Sequence, residues 1–160
     1  MASRIKNKIP VGAAPYFTKQ GLDLTLFPID SVLRQALSPD EVQFRTGCTL
    51  LGSMSCAGRV EAGVFLLGLL QQYRENYARL ESIAEALWSF PVPATVDALA
   101  SELRRVKGSS STRRYLRRII TTLERLPAEL VEEKIQELSS DPQVGARFRQ
   151  HLREIVFRYR

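Results

Sequence analysis

Apolar residues recur every three or four positions along most of the chain, the spacing that places them on one face of an α-helix. From residue 28 onward, this pattern is interrupted at the segments FPVP, KGSSS and SSDP. Pro93 and Pro127 each begin a new apolar stretch, at the first-turn position where a helix tolerates proline. The pattern therefore predicts an all-α domain over residues 28–160.

Two short segments are typical of helix N-termini. In SPDE, at residues 38–41, the Ser38 hydroxyl can accept a hydrogen bond from the Glu41 amide while the Glu41 carboxylate bonds back to the Ser38 amide. DPQ, which begins at Asp141, repeats the order of a capping residue followed by proline. We therefore expect one helix to begin beside Ser38 and another beside Asp141.

The first 27 residues lack a helical period. They contain two prolines and two glycines, and four basic residues stand against a single acid, Asp23. Within them, Leu22, Leu24 and Leu26 alternate with polar residues, which is the period of a β-strand. Because an isolated strand is not stable alone, this segment must dock on the domain, pair with a partner or be disordered. Residues 1–27 are therefore predicted to form an irregular basic N-terminal arm.

The apolar pattern also repeats at longer range. Five apolar positions of one predicted helix match five positions 36 residues later, and three more follow at an offset of 32. The segment PATVDALASEL is likewise echoed by PAELVEEKIQEL. One pair of helices is too thin to bury its own apolar face, so each pair is expected to stack on the next. The matching residues are Leu80, Ile83, Ala84, Leu87 and Phe90, then Leu116, Ile119, Ile120, Leu123 and Leu126, then Phe148, Leu152 and Ile155.

The segments PATVDALASELRRV, STRRYLRRIITTLERL and PAELVEEKIQEL resemble the HEAT and armadillo class of α-helical repeats, over roughly residues 30–158. This resemblance implies a right-handed stack of about four antiparallel helix pairs that serves as an interaction scaffold, without catalytic residues or a cofactor. The concave surface would be lined by the second helix of each pair, predicted at residues 77–90, 111–126 and 143–158. An irregular helical bundle is the alternative architecture.

The formal charge of +6 lies entirely in the last part of the chain. Residues 1–100 hold nine basic and nine acidic residues, whereas residues 101–160 hold fourteen and eight. On a helical projection of residues 111–126, five arginines fall within an arc of about 140°, and the leucines and isoleucines occupy the opposite side. This helix is therefore predicted to be buried on one face, with its arginines pointing outward together.

The basic helix has two interpretations. The acidic residues of the following helix, which include Glu137 and Asp141, could lie beside it and neutralise it. Alternatively, the arginines form a binding surface, since guanidinium groups make bidentate hydrogen bonds to phosphate oxygens. The candidate binding residues are Arg104, Arg105, Lys107, Arg113, Arg114, Arg117 and Arg118.

Three functions are consistent with these patterns. The first is a non-catalytic helical-repeat module that binds another protein with an acidic surface. The second is a nucleic-acid-binding module that contacts the phosphate backbone through the arginines of residues 111–126, without sequence specificity because few aromatic residues accompany them. A distant third is an enzyme like the HEAT-like DNA glycosylases, which use tryptophan and aspartate around a flipped nucleotide. This chain offers only Trp88 and no matching motif.

The remaining candidates indicate neither a metal site nor a nucleophile. His151 is the only histidine and is expected to be structural, Cys48 is expected to be a small buried residue on a helix, and Trp88 is expected to pack. The longest apolar run, residues 63–70, is too short to span a membrane, so no membrane partner is expected. Two cysteines and the lack of an apolar leader favour a cytoplasmic protein with reduced thiols.

Overall fold

The computed structural model describes residues 17–18 and 21–159, and over these residues the protein is all-α, as predicted. A hairpin with two residues in each strand, Phe17–Thr18 and Gly21–Leu22, precedes the helices. A short 3-10 turn, Leu87–Ser89, continues the fourth helix. The helices are α1 (Ile29–Ala36), α2 (Glu41–Cys56), α3 (Val60–Gln72), α4 (Tyr77–Ala86), α5 (Pro93–Arg105), α6 (Arg113–Arg125), α7 (Ala128–Ser140) and α8 (Ala146–Arg158).

The apolar positions that repeat in the sequence form the buried side of α4, α6 and α8. Nearly all of their side chains are buried, and only Phe90 and Phe148 are half-buried. On α6 the buried side carries Leu116, Ile119 and Leu123, with the arginines on the other side. The predicted division of this helix into an apolar and a basic face is therefore confirmed.

α4 and α6, which are next but one along the chain, lie side by side and run in the same direction. Near the beginning of α4 and α6, Glu81 contacts Arg114, and at the other end Trp88 contacts Arg125. Contacts also join α2 to α4, α5 to α7, and α6 to α8, and the hydrogen-bonded residues are 33 to 38 positions apart. This separation is close to the period of 32 to 36 residues in the sequence.

The predicted capping box at Ser38 is wrong. The cap of α2 is Asp40, whose Oδ1 accepts a hydrogen bond from the Gln43 amide at 2.8 Å. Ser38 belongs instead to the turn that ends α1, because its amide donates to the Gln35 carbonyl at 3.0 Å. Because Ser38 is held in this turn, Asp40 caps the helix instead, and α2 begins at the following residue, Glu41.

The predicted helix start at Asp141 is also wrong, since Asp141 ends α7 and α8 begins only at Ala146. One carboxylate oxygen of Asp141 accepts from the Gln143 amide at 2.9 Å, and the other accepts from Arg104 Nε at 2.6 Å. The ion pair with Arg104 holds Asp141 in the loop between the two helices. A tertiary contact therefore overrides the local capping signal.

The strand predicted across Leu22, Leu24 and Leu26 ends at Leu22, and residues 23–26 form a turn. The Asp23 carboxylate accepts from both the amide and the hydroxyl of Thr25, at 2.9 and 2.6 Å, which favours a turn over an extended chain. Leu24 and Phe27 pack against the core. Residues 24–27 of the predicted arm therefore dock on the domain, and residues 1–16, 19 and 20 lie outside the described residues.

The close approach of α1 and α2 yields a test of the packing at Gly47. A Cβ atom added to Gly47 would lie 2.8 Å from Ala36 Cα in the neighbouring helix, so Gly47→Ala should lower the free energy of unfolding by about 1–3 kcal/mol. The control is Gly68→Ala on α3, where an added Cβ meets no atom within 4 Å. This change should raise the free energy by about 0.5–1 kcal/mol through helix propensity. Urea unfolding measures both, and equal effects would contradict the packing described.

Candidate anion-binding site

The seven basic residues predicted as a binding surface do not form one continuous surface. Four of them, Arg104, Arg105, Arg114 and Arg118, are paired with carboxylates of this chain. The other three are Lys107, Arg113 and Arg117, whose side chains are exposed and make no hydrogen bond or ion pair with any residue in the described part of the chain. The two groups therefore have different roles.

Arg104 joins α5 to the end of α7. Its Nε donates to Asp141 Oδ2 at 2.6 Å and a terminal nitrogen donates to Glu137 Oε1 at 2.5 Å. The bond from Arg104 lowers the pKa of Asp141 below its ordinary value, and the same bond raises the pKa of Arg104. Glu137 also pairs with Lys134 at 3.1 Å. This cluster holds two helices together and engages the charge of Arg104 with two carboxylates of this chain.

Arg105 is held by a buried carboxylate between α5 and α6. Its Nε and a terminal nitrogen donate to the two oxygens of Glu102 at 2.8 and 2.6 Å. The buried Tyr115 hydroxyl donates to the same carboxylate at 2.7 Å, and burial together with this carboxylate raises the pKa of Tyr115. A buried carboxylate requires such partners, so Arg105 has a structural role.

Arg114 and Arg118 lie against α4. Arg114 is 3.4 Å from Glu81, and Arg118 is 3.7 Å from Glu81 and 3.4 Å from Glu85. The hypothesis that the acids of α7 would neutralise this helix is therefore wrong. α6 packs beside α4 and meets its acids, whereas α7 packs beside α5, where Glu137 pairs with Arg104.

Arg113 and Arg117 line a cavity of about 620 Å³, which we call the α6–α8 pocket. Its walls are the loop before α6, the outer side of α6 and the first turns of α8. No acidic side chain occurs among the described residues that line it. The lining residues are Gly108, Ser109, Ser110, Arg113, Arg117, Ile120, Thr121, Gly145, Ala146, Arg147, Phe148 and His151.

A network of hydroxyl groups fixes the loop that leads into the pocket. The Thr112 hydroxyl donates to the Lys107 carbonyl at 2.7 Å and accepts from the Ser109 amide at 2.9 Å. Arg113 follows directly and begins α6, and Arg117 lies one helical turn later on the same side. The loop and the helix start therefore place both guanidinium groups at one cavity.

Three pocket residues were missed as site residues by sequence reasoning: Arg147, Phe148 and His151. His151 was expected to be structural, yet it is exposed and lines the pocket, because its side of α8 faces α6 and not the core. Arg147 and His151 have the spacing of four residues that Arg113 and Arg117 have on α6. This shared spacing near the start of both helices was the signal that could have identified them.

The two other candidates, Trp88 and Cys48, differ in their exposure to solvent. Trp88 is 38% exposed and does not join the core, but the Arg125 guanidinium lies 4.3 Å from its ring centre and covers one of its faces. Cys48 is buried on α2, as predicted, and burial raises the pKa of its thiol to about 12. A thiol with this pKa remains protonated and is a poor nucleophile near neutral pH.

Neither a metal cluster nor a membrane span occurs in the part of the chain that the structure describes. No group of three or more His, Cys, Asp or Glu side chains within residues 17–18 and 21–159 could hold a metal ion. Over the same residues, no helix combines the length and apolar character needed to cross a bilayer. What the α6–α8 pocket offers chemically is positive charge, hydroxyl groups and a small apolar area.

The pairing of Arg104 with Asp141 yields a test by pH. The folded-state pKa of Asp141 lies below its ordinary value of 3.8, so its contribution to stability is complete above that pH and is lost as the pH falls through the folded-state pKa. Arg104→Gln should therefore lower the free energy of unfolding at neutral pH and have less effect near about pH 3. Arg114→Gln, at a side chain that is 83% exposed, should have little effect at either pH. An equal loss in Arg104→Gln at both pH values, measured by urea unfolding, would contradict the structural role of this ion pair.

Comparison with known proteins gives no relative from which a role could be transferred. No family model matches the chain, and neither a curated protein nor a solved structure matches it.

Proposed function

We propose that the protein is a non-catalytic helical interaction module that binds an acidic segment of another protein in the α6–α8 pocket. The observation that carries this proposal is the set of cations around one cavity, Arg113, Arg117 and Arg147, none of which has an acidic partner among the described residues. Phe148 and Ile120 add apolar surface beside these charges. This mixture suits a peptide that carries both acidic and apolar side chains.

The distribution of free charge favours a protein partner over a nucleic acid. Tracking a phosphate backbone requires a line of available cations, and each contact contributes to a steep dependence on salt. Arg114 and Arg118 would continue such a line along α6, but Glu81 and Glu85 engage them. The two arginines of α6 that remain free near its start, Arg113 and Arg117, therefore lie at one cavity, which suits a compact anionic group better than an extended polyanion.

The scaffold in this proposal is a HEAT- or armadillo-like repeat. The contacts between residues 33 to 38 positions apart support it, because a stack of similar units brings equivalent positions of successive units together. The right-handed superhelical stack remains part of the proposal. The proposed module acts in the cytoplasm, where Cys48 and the exposed Cys56 stay reduced. A glycosylase-type activity finds no support, since Arg125 covers one face of Trp88.

A comparison of two anionic probes tests the proposal. Fluorescence anisotropy would measure binding of a short glutamate-rich peptide with one phenylalanine, and of a single-stranded oligonucleotide of equal net charge, across a salt series. We expect the peptide to bind, and Arg113→Gln with Arg117→Gln to weaken it about ten-fold or more, since each lost charge-assisted hydrogen bond costs about 1.5–3 kcal/mol. The phenylalanine should add affinity through Phe148.

The matched control is Arg114→Gln with Arg118→Gln, which removes two charges from the same helix outside the pocket. This control should change peptide affinity by no more than about two-fold, because both arginines already have acidic partners. If the oligonucleotide binds more tightly than the peptide, and both double variants weaken it equally, the nucleic-acid hypothesis holds and the proposal is wrong. Circular dichroism of each variant verifies that it folds.

A further inference from the structure

We infer that the α6–α8 pocket binds a phosphate monoester, carried by the partner as a phosphorylated side chain. This inference rests on the proposed function and names the anionic group that the pocket recognises. The pocket brings together Arg113 and Arg117 from α6 with Arg147 and His151 from α8. Three steps lead from this juxtaposition to phosphate.

The first step is the placement of basic residues on α6 and α8. Near the C-terminal ends of the two helices, Arg158 Nη2 donates to Glu124 Oε1 at 2.7 Å. Near the N-terminal ends, α6 contributes Arg113 and Arg117 to the pocket, and α8 contributes Arg147 and His151. The two helices are thus joined by an ion pair at one end, and at the other end they line one cavity with basic side chains.

The second step is the electrostatic repulsion between these basic side chains. Like charges on facing positions of packed elements are destabilising, and elsewhere this fold places acids at the equivalent positions. Between α4 and α6, Glu81 and Glu85 pair with arginines of α6. Between α5 and α7, Asp97 and Glu137 pair with basic residues of the opposite helix. No described acidic residue pairs with Arg113 or Arg147. An anion bound from outside would act as the missing counter-ion.

The third step is the choice between a carboxylate and a phosphate. Three arginines around one cavity carry three positive charges, and a single carboxylate neutralises only one of them. A phosphate monoester carries about −1.5 to −2 charges at neutral pH and presents three acceptor oxygens. Its tetrahedral oxygens point in different directions and can accept bonds from both walls at once, whereas the two oxygens of a carboxylate lie in one plane. The Ser110 hydroxyl in the loop provides a further donor.

The test uses three versions of the glutamate-rich peptide, with serine, glutamate or phosphoserine at its centre. At constant ionic strength, the phosphoserine peptide should bind about ten-fold more tightly than the glutamate peptide. Arg147→Gln should remove this preference. Arg158→Gln is the matched control, because it removes one charge from α8 at a residue that pairs with Glu124. The control should keep the preference.

Each other outcome is decisive. Equal affinity for the phosphoserine and glutamate peptides overturns this inference and leaves the proposed acidic partner intact. Failure of all three peptides to bind overturns the proposed function together with the inference. A preference that Arg158→Gln removes as completely as Arg147→Gln does would place the effect in the overall charge of the protein, and it also overturns the inference.

Thermal unfolding with inorganic phosphate gives a second, independent measurement. At constant ionic strength, phosphate should raise the midpoint for the wild type and for Arg158→Gln, because a ligand that binds only the folded state stabilises it. It should not raise the midpoint of Arg147→Gln. Without phosphate, Arg147→Gln should unfold at the same temperature as the wild type or higher, since it relieves repulsion. A lower midpoint, or an equal response to phosphate in both variants, would overturn the inference.

Discussion

The buried contact between α4 and α6 fixes where the surface charges of the protein meet. Leu80 and Ile83 on α4 and Ile119 on α6 are fully buried in a single core, so neither helix can slide without exposing apolar surface. The buried Thr122 hydroxyl also donates to the Ala84 carbonyl at 2.9 Å. Polar bonds of this kind specify one register, since a shift would leave the hydroxyl without its acceptor.

Once the register is set, the positions of charged residues decide which arginines are available. Along α4 and α6, the register brings Glu81 to Arg114 and Glu85 to Arg118. Between α6 and α8, Glu124 meets Arg158 near one end, whereas basic residues of both helices line one cavity at the other end. The same packing rule thus yields structural ion pairs at some positions and a cavity with unpaired cations at another. The candidate function follows from this geometry and not from the number of arginines.

Sequence reasoning correctly predicted the structural features that are set within a single helix. The spacing of apolar residues identified the helices and their buried faces, and the projection of residues 111–126 placed the arginines outward, because both depend only on the period of the helix. It could not determine which acids reach those arginines. That depends on which helix lies beside α6, and the neighbour is α4, not α7. The prediction at Asp141 failed for the same reason, since a tertiary contact engages this residue. The prediction at Ser38 failed for a local reason, because the turn that ends α1 uses its amide. The spacing of four residues that Arg147 shares with His151, and Arg113 with Arg117, was the available hint of a second wall of the pocket.

The last pair of helices is where an external anion would have the greatest structural effect. α8 packs mainly on α7, and α7 is joined to the preceding pair through Arg104 with Asp141 and through Lys134 with Asp97. The direct ion pair between α6 and α8 is Arg158 with Glu124, at the end of both helices far from the pocket. An anion held between Arg113 and Arg147 would add a second point of attachment at the opposite end. Binding of the partner would therefore also stiffen the C-terminal part of the domain, because two separated contacts resist the rotation that one allows.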